Sequence, residues 1–139
     1  MNNNLYVKAY NQISEDNYDI YINCTSDKPF IVDKINFRLS VEDNGDLRQY
    51  KILYDLLIKD NFYIYKSIDT FLEQNKKICI FCNQGRQRSC AVYVCYLIYK
   101  GYSIKDAINI LQENKKDAFF GNVNFMDTIN MFAKLFLYP

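Results

Sequence analysis

The sequence predicts a single α/β domain over residues 1–139, with a small mixed central sheet flanked by helices. Three observations predict it. Strand-like apolar stretches fall at Tyr18–Cys24, Ile35–Val41 and Ile78–Phe81, while stretches of helical period dominate from Leu47 onward. A polar loop containing a glycine, Cys82–Arg88, joins the last of these strands directly to a helix. Half of the residues are hydrophobic and 17% are aromatic, enough for a chain of this length to close one packed core.

Residues 1–4 are expected to fray, and Leu5–Lys8 reads as a short first strand. In Tyr18–Cys24 the residues Ile20, Ile22 and Cys24 share one face, as in a core strand, and Ser26-Asp27-Lys28-Pro29 breaks it. Ile35–Val41 alternates strictly, with Ile35, Phe37, Leu39 and Val41 apolar and Asn36, Arg38 and Ser40 between them. It runs into Glu42-Asp43-Asn44-Gly45-Asp46, a turn by its Asn-Gly pair. Asp46 can cap a helix over Leu47–Ile58, striped by Ile52, Leu53, Leu56 and Leu57. A second helix, Phe62–Gln74, carries Ile64, Ile68, Phe71 and Leu72 on one face. After the strand Ile78–Phe81 and its loop, the helix Ser89–Lys100 is apolar nearly all round, which predicts burial at the domain centre. Gly101 suits the residue after its C-terminus, and Ser103 with Asp106 opens a helix that buries Ile104, Ala107, Ile108 and Leu111. A last helix, Asn124–Phe136, buries Phe125, Ile129, Phe132, Ala133 and Phe136.

Composition removes several function classes. The net charge of +1 gives no bulk attraction to nucleic acid or membrane. Met1 is followed by three Asn rather than by a signal sequence, and the longest apolar run, Cys90–Tyr99, is too short to span a bilayer. A cytoplasmic, reducing location is therefore expected, and the five cysteines, an odd number, argue against a disulfide framework. The absence of histidine removes Cys–His dyads, Ser-His-Asp triads and most transition-metal sites. Cys79-x2-Cys82, with Cys90 and Cys95, does not read as a zinc site, because these cysteines sit in an apolar strand and an apolar helix rather than in turns. Neither metal nor cofactor is expected, and monomer and homodimer are both open.

The loop carries the chemistry. It reads Cys-Asn-Gln-Gly-Arg-Gln-Arg, and a loop ending at a helix N-terminus points backbone N–H groups inward, with the helix dipole adding positive potential. Such a cradle suits a tetrahedral dianion, and Asn83, Gln84, Gly85, Arg86, Gln87 and Arg88 are its candidate phosphate-binding residues. Gly85 permits the backbone angles of a tight cradle, and Arg88 can present two parallel donors to phosphate oxygens. Cys82 stands at the entrance, where the same field favours a thiolate nucleophile. The chain has only four arginines, yet Arg86 and Arg88 both fall in this loop. The bland alternatives are a small core cysteine at Cys82, a surface cation at Arg88 and a simple helix cap at Ser89.

Cys-x5-Arg followed by Ser is the signature loop of the cysteine-dependent phosphatases, and the wider sequence resembles the dual-specificity branch of the protein tyrosine phosphatases. YDIYINCTS resembles that family's early core strand, INFRLSVEDNGD its strand and acid loop, and KKICIFC the strand entering the catalytic loop. GYSIKDAINILQEN resembles the following helix, and FFGNVNFMDTI the start of the last one. One departure stands out: the family has His immediately before the nucleophile, and this chain has Phe81. The family's His bonds backbone groups beneath the loop, which Phe81 cannot do.

The resemblance implies a dual-specificity phosphatase-like fold and phosphomonoester hydrolysis through a cysteinyl-phosphate. It makes Cys82 the nucleophile, Arg88 the binder of the transition-state oxygens and Ser89 the hydroxyl that aids departure of the thiolate. A general acid is also needed, and Ser40-Val41-Glu42-Asp43-Asn44 resembles the acid-loop motif, so Asp43 is the expected acid with Asp46 as the second candidate. Asp43 lies 39 residues before Cys82, a longer separation than is usual in the family, and the excess is read as an insertion forming the Leu47–Ile58 helix. A second loop arginine, here Arg86, also occurs in members that act on phospholipid head groups; an outward, solvated Arg86 is equally open. The implied partner is a protein phosphorylated on Tyr, Ser or Thr. A phosphoinositide, an RNA 5′-phosphate and a silent phosphate-binding module, the last motivated by Phe81, stay open, although the charge balance disfavours RNA.

Overall fold

The structure, a computed structural model, describes residues 4–136. Its elements in chain order are β1 Leu5–Ala9, β2 Ile20–Asn23, β3 Ile35–Arg38, α1 Leu47–Glu73, β4 Ile78–Cys82, α2 Arg88–Tyr99, α3 Ile104–Asn114 and α4 Met126–Lys134, with a short 3₁₀ turn at Tyr10–Gln12. Residues 1–3 lie outside the described residues. The expected fraying does not reach Asn4, whose carbonyl accepts the Ile78 N–H at 2.8 Å and whose amide donates to Asn75 Oδ1 at 2.9 Å.

The α/β architecture is as expected, but the sheet is not mixed. Its order is β1-β4-β2-β3 and every neighbouring pair is parallel. Parallel neighbours require a crossover rather than a hairpin, and hydropathic period says nothing about strand direction. The apolar run of β4 has its reason here: it lies between β1 and β2 and is buried on both faces.

The two faces of the sheet are covered differently. Leu5, Val7, Ile20, Ile22, Ile78, Ile80 and Cys82 join the core built with the four helices. Tyr18, Tyr21, Cys79 and Phe81 turn the other way, into a smaller cluster with Ile13, Tyr6, Tyr10 and Ile31 that includes no residue of α1–α4. The helices therefore gather on one face, and an aromatic layer closes the other.

β3 stops at Arg38 rather than at Val41. Leu39 N–H still donates to the Asn23 carbonyl at 2.8 Å, but β2 ends there and leaves nothing further to pair with. Leu39 and Val41 turn into the helical core, while Ile35, at the outer edge, is 48% exposed. α1 is two helical segments, as the sequence predicts: Lys59–Phe62 are non-helical, and Asp60, Asn61 and Phe62 have φ of 53°, 58° and 62°. Phe62 holds this break by packing its ring against Tyr99, Phe132 and Phe136 at centroid distances of 5.7, 5.9 and 5.3 Å. α2 is buried along its length from Ser89 to Ile98. α3 is capped by Ser103 Oγ, which accepts Asp106 N–H at 3.1 Å, and it buries Ala107 and Leu111, with Ile104 and Ile108 only half-buried. α4 is shorter than the expected Asn124–Phe136, with Phe125 buried just ahead of it. No helix among the described residues is long and apolar enough to cross a membrane.

Candidate active site

β4 delivers Cys82 to the C-terminal end of the sheet, and α2 begins at Arg88, so the five residues between them must turn within one short loop. Gly85 makes that turn possible. Its φ is +68°, and a Cβ there would lie 2.6 Å from Ala9 N and 2.7 Å from the Lys8 carbonyl carbon. The loop thus presses on the end of β1, and its carbonyls are engaged from outside. Asn83 O accepts Tyr10 N–H at 3.1 Å, Gly85 O accepts the Cys90 thiol at 3.4 Å, and Arg86 O accepts Phe119 N–H at 2.7 Å. None of these three donors borders the cavity that the loop encloses.

That cavity has a volume of 310 Å³ and is lined by Asp43, Cys82, Asn83, Gln84, Arg86, Gln87 and Arg88. Cys82 is 2% exposed, and its Sγ is 3.1 Å from the hydroxyl of the fully buried Ser89. Arg88 Nη1 donates to the Val41 carbonyl at 3.0 Å, tying the start of α2 to the segment that carries Asp43. Both carboxylate oxygens of Asp43 accept from Asn124 Nδ2 at 3.2 Å. Gln87 holds the same asparagine: its Oε1 accepts Asn124 N–H at 2.9 Å, and its Nε2 donates to Asn122 O at 2.6 Å.

Asp46, the second acid candidate, is elsewhere. It caps α1 by accepting Arg48 N–H at 3.0 Å and pairs with Arg48 Nη2 at 2.7 Å, and the hydrogen bonds from Arg48 hold its carboxyl below the usual range. It does not line the cavity. Arg86 borders the cavity but leans outward, with Nε 3.5 Å from Asp117 and its guanidinium 5.4 Å from the ring centre of Phe120, a side chain 73% exposed.

Phe81 is fully buried on the opposite face of the sheet, its ring centre 5.9 Å from Tyr10 and 6.3 Å from Tyr21. It fills its space by packing. The same alternation separates Cys79 from Cys82: three positions apart on a strand, they point to opposite faces. Burial pushes the thiols of Cys79 and Cys90 up to about 12, and it raises Cys24 and Cys95 as well; for Cys90 and Cys24 the charge of Cys82 adds to burial. Among the described residues, no group of three His, Cys, Asp or Glu is placed to hold a metal.

Of the loop residues that the sequence singled out, Cys82, Asn83, Gln84, Arg86, Gln87 and Arg88 line one cavity together with Asp43, while Gly85 turns against Lys8 and Ala9 and Ser89 reaches the site through the sulfur of Cys82. Asn124 is the residue that sequence reasoning missed. It was legible only as the start of a helix, and no local pattern links it to an acid 81 positions away.

Comparisons with known proteins establish the family. The family model for the dual specificity phosphatase catalytic domain matches residues 4–134. The chain is 29% identical over 119 residues to the tyrosine-protein phosphatase MSG5 of Saccharomyces cerevisiae, covering 82% of this chain and 24% of that one. It is 30% identical over 92 residues to protein 123R of Invertebrate iridescent virus 6, covering 66% of this chain and 61% of that one. The chain thus spans about a quarter of the yeast relative's length and under two thirds of the viral one's. Human DUSP28 superposes with a TM-score of 0.72 at 16% identity, over 95% of this chain and 92% of that one, a likeness of fold. With the matched model spanning nearly all of the described residues, the chain belongs to the dual specificity phosphatase family.

Proposed function

We propose that this chain is a cysteine-dependent phosphomonoester hydrolase that acts on phosphorylated protein, at Tyr and at Ser or Thr. The observation that carries the reading is the convergence of Cys82, Arg88 and Asp43 on one 310 Å³ cavity, with the Ser89 hydroxyl 3.1 Å from the sulfur. In the first step the Cys82 thiolate attacks phosphorus opposite the ester oxygen. The S–P bond forms as the P–O bond breaks, and Asp43 gives its proton to the leaving oxygen. The N–H groups of the Asn83–Arg88 loop and the Arg88 guanidinium stabilise the equatorial oxygens. In the second step water attacks phosphorus, the Asp43 carboxylate takes its proton, and the P–S bond breaks. Ser89 Oγ–H then bonds the departing thiolate, and inorganic phosphate leaves. Asn124 and Gln87 act through Asp43: they hold the acid loop over the cavity before substrate arrives.

Hydrolysis of a small aryl phosphate tests this reading. Phosphate release is expected to persist in the presence of a chelator, because the loop supplies the positive charge, and to fall by about 10³-fold or more in Cys82→Ser. Full activity in Cys82→Ser would remove Cys82 as nucleophile. Phe81 motivates a second reading, a silent phosphate-binding module. A single-turnover assay separates the two, since a binder releases no phosphate, and a panel of phosphoprotein, phosphoinositide and RNA 5′-phosphate identifies the substrate class.

A further inference from the structure

A second and larger recess, of 760 Å³, lies beside β1. Residues 5–8 all line it, although Leu5 and Val7 belong to the helical core and Tyr6 to the opposite aromatic layer. Side chains from both faces of one strand border the same space only where that space runs along the strand's edge. β1 is an outer strand, paired with β4 on one side. In a parallel ladder the peptide groups alternate between the two sides. The Asn4 carbonyl is directed to Ile78, so the peptide groups of Leu5 and Val7 face the groove. The next outward amide, Ala9 N–H, is taken by Gln12 Oε1 at 3.1 Å, which closes that end.

The charge of the groove is one-sided. Lys8 lines it from β1, and Lys115 and Lys116 from the segment after α3, against a single acid, Asp117. Asp117 is already engaged by Lys115 Nζ at 2.6 Å and Arg86 Nε at 3.5 Å. A lone lysine on an edge strand is a common guard against edge-to-edge pairing. Such a guard needs no opposing wall with two further lysines, one of them, Lys115, only 14% exposed. The groove also adjoins the catalytic cavity. Arg86 borders one and Asp117 the other, and Gly85 packs on the Lys8–Ala9 peptide.

We propose that this groove docks an acidic, extended segment of the phosphoprotein substrate, added as an extra strand along β1 close to the phosphorylated residue. The identity of the bound chain rests on the phosphatase reading above; the groove and its charge do not. Main-chain donors and acceptors along a strand edge match a peptide backbone, and the lysines match its carboxylates. A sugar–phosphate chain has no such ladder to offer, and a net charge of +1 gives a polyanion no long-range steering.

The test compares phosphopeptides with the same phosphorylated core and acidic, neutral or basic flanks of about four residues. For the acidic flank, kcat/KM is expected to be about tenfold above the neutral one at low salt, with the advantage shrinking as salt is added. The double variant Lys8→Glu, Lys116→Glu should abolish that advantage and leave hydrolysis of a small aryl phosphate unchanged. Equal kcat/KM for all flanks, or a preference that survives the double variant, would overturn the proposal. Binding of the unphosphorylated acidic peptide, followed by fluorescence anisotropy, is read independently of catalysis. It should be lost on N-methylation of alternate peptide amides in one register only. Should no peptide be hydrolysed while this binding persists, the phosphatase reading fails and the groove stands. Should an RNA of the same charge displace the peptide with equal affinity, the groove is a general polyanion site and the strand-addition proposal fails.

Discussion

On the proposed mechanism, Asn124 is the residue that positions the acid, Asp43. Its amide meets both oxygens of Asp43 at 3.2 Å, and its backbone is held by Gln87 of the phosphate loop. Removing it would free Asp43 without touching Cys82, the proposed nucleophile. Asn124→Ala is therefore expected to lower kcat about tenfold for alkyl phosphates, whose leaving group needs the proton, with KM little changed and aryl phosphates hardly affected. Asp43→Asn should show the same leaving-group dependence more strongly, by about 10²-fold or more, whereas Asp46→Asn should show none of it and should keep the helix cap, since an Asn side-chain oxygen also accepts the Arg48 N–H. Rates measured across a series of leaving groups check all three. An Asp46→Asn enzyme carrying the leaving-group dependence would reverse the assignment.

At the scale of elements, the Cys82–Arg88 loop and the break in α1 are two of the places where the backbone is under constraint. Gly85 has positive φ and lies against backbone atoms of Lys8 and Ala9 that have no freedom to retreat within a sheet. Gly85→Ala is expected to displace the loop, removing tungstate or phosphate binding and lowering activity by about 10²-fold or more, with a stability loss of about 2 kcal/mol. Equilibrium binding and urea denaturation measure the two parts separately. Phe62 has left-handed φ, which is unfavourable by about 1–2 kcal/mol for a residue with a side chain, and aromatic packing on Tyr99, Phe132 and Phe136 offsets it. Phe62→Ala should destabilise the fold by about 2–3 kcal/mol in chemical denaturation, the half-buried ring placing it below the range for full burial.

Over the whole molecule, the buried thiols set a response to alkali. Burial holds Cys79 and Cys90 neutral up to about 12, against an ordinary value of 9.0 in the unfolded chain. Well below pH 9, at about pH 8 and under, both states are almost wholly protonated and these groups hardly affect stability. Above it the unfolded chain loses protons that the folded one keeps, so stability is lost as pH rises from about 9 towards 12, by up to about 1.4 kcal/mol per pH unit for each such thiol. Urea midpoints measured at pH 7.5, 9 and 10 should fall in both intervals and more steeply over the last. The same burial directs alkylation. Cys82 lines the 310 Å³ cavity and is 2% exposed, where the other four cysteines are fully buried, so limiting reagent at pH 7.5 should label Cys82 ahead of Cys24, Cys79, Cys90 and Cys95, as peptide mapping would show.

Local physics made much of this protein legible from its sequence. The loop Cys82–Arg88 between an apolar strand and a helix, the glycine at its bend and the caps at Asp46 and Ser103 all depend on residues within a few positions of one another. The two segments of α1 followed from their own apolar stripes, whereas Asp43 was singled out only by the family resemblance of the stretch around it. Tertiary structure alone decided what depends on distant partners. The parallel direction of the sheet, the end of β3 where β2 runs out, and the helices' choice of one face come from chain crossovers that carry no hydropathic signature. So does the meeting of Asn124 with Asp43, and of Lys8 with Lys115 and Lys116 around one groove. A hydrophobic period records which side of an element faces inward. It does not record which other element waits there, and the holding of Asp43 by Asn124 and Gln87 at this cavity is made of such meetings.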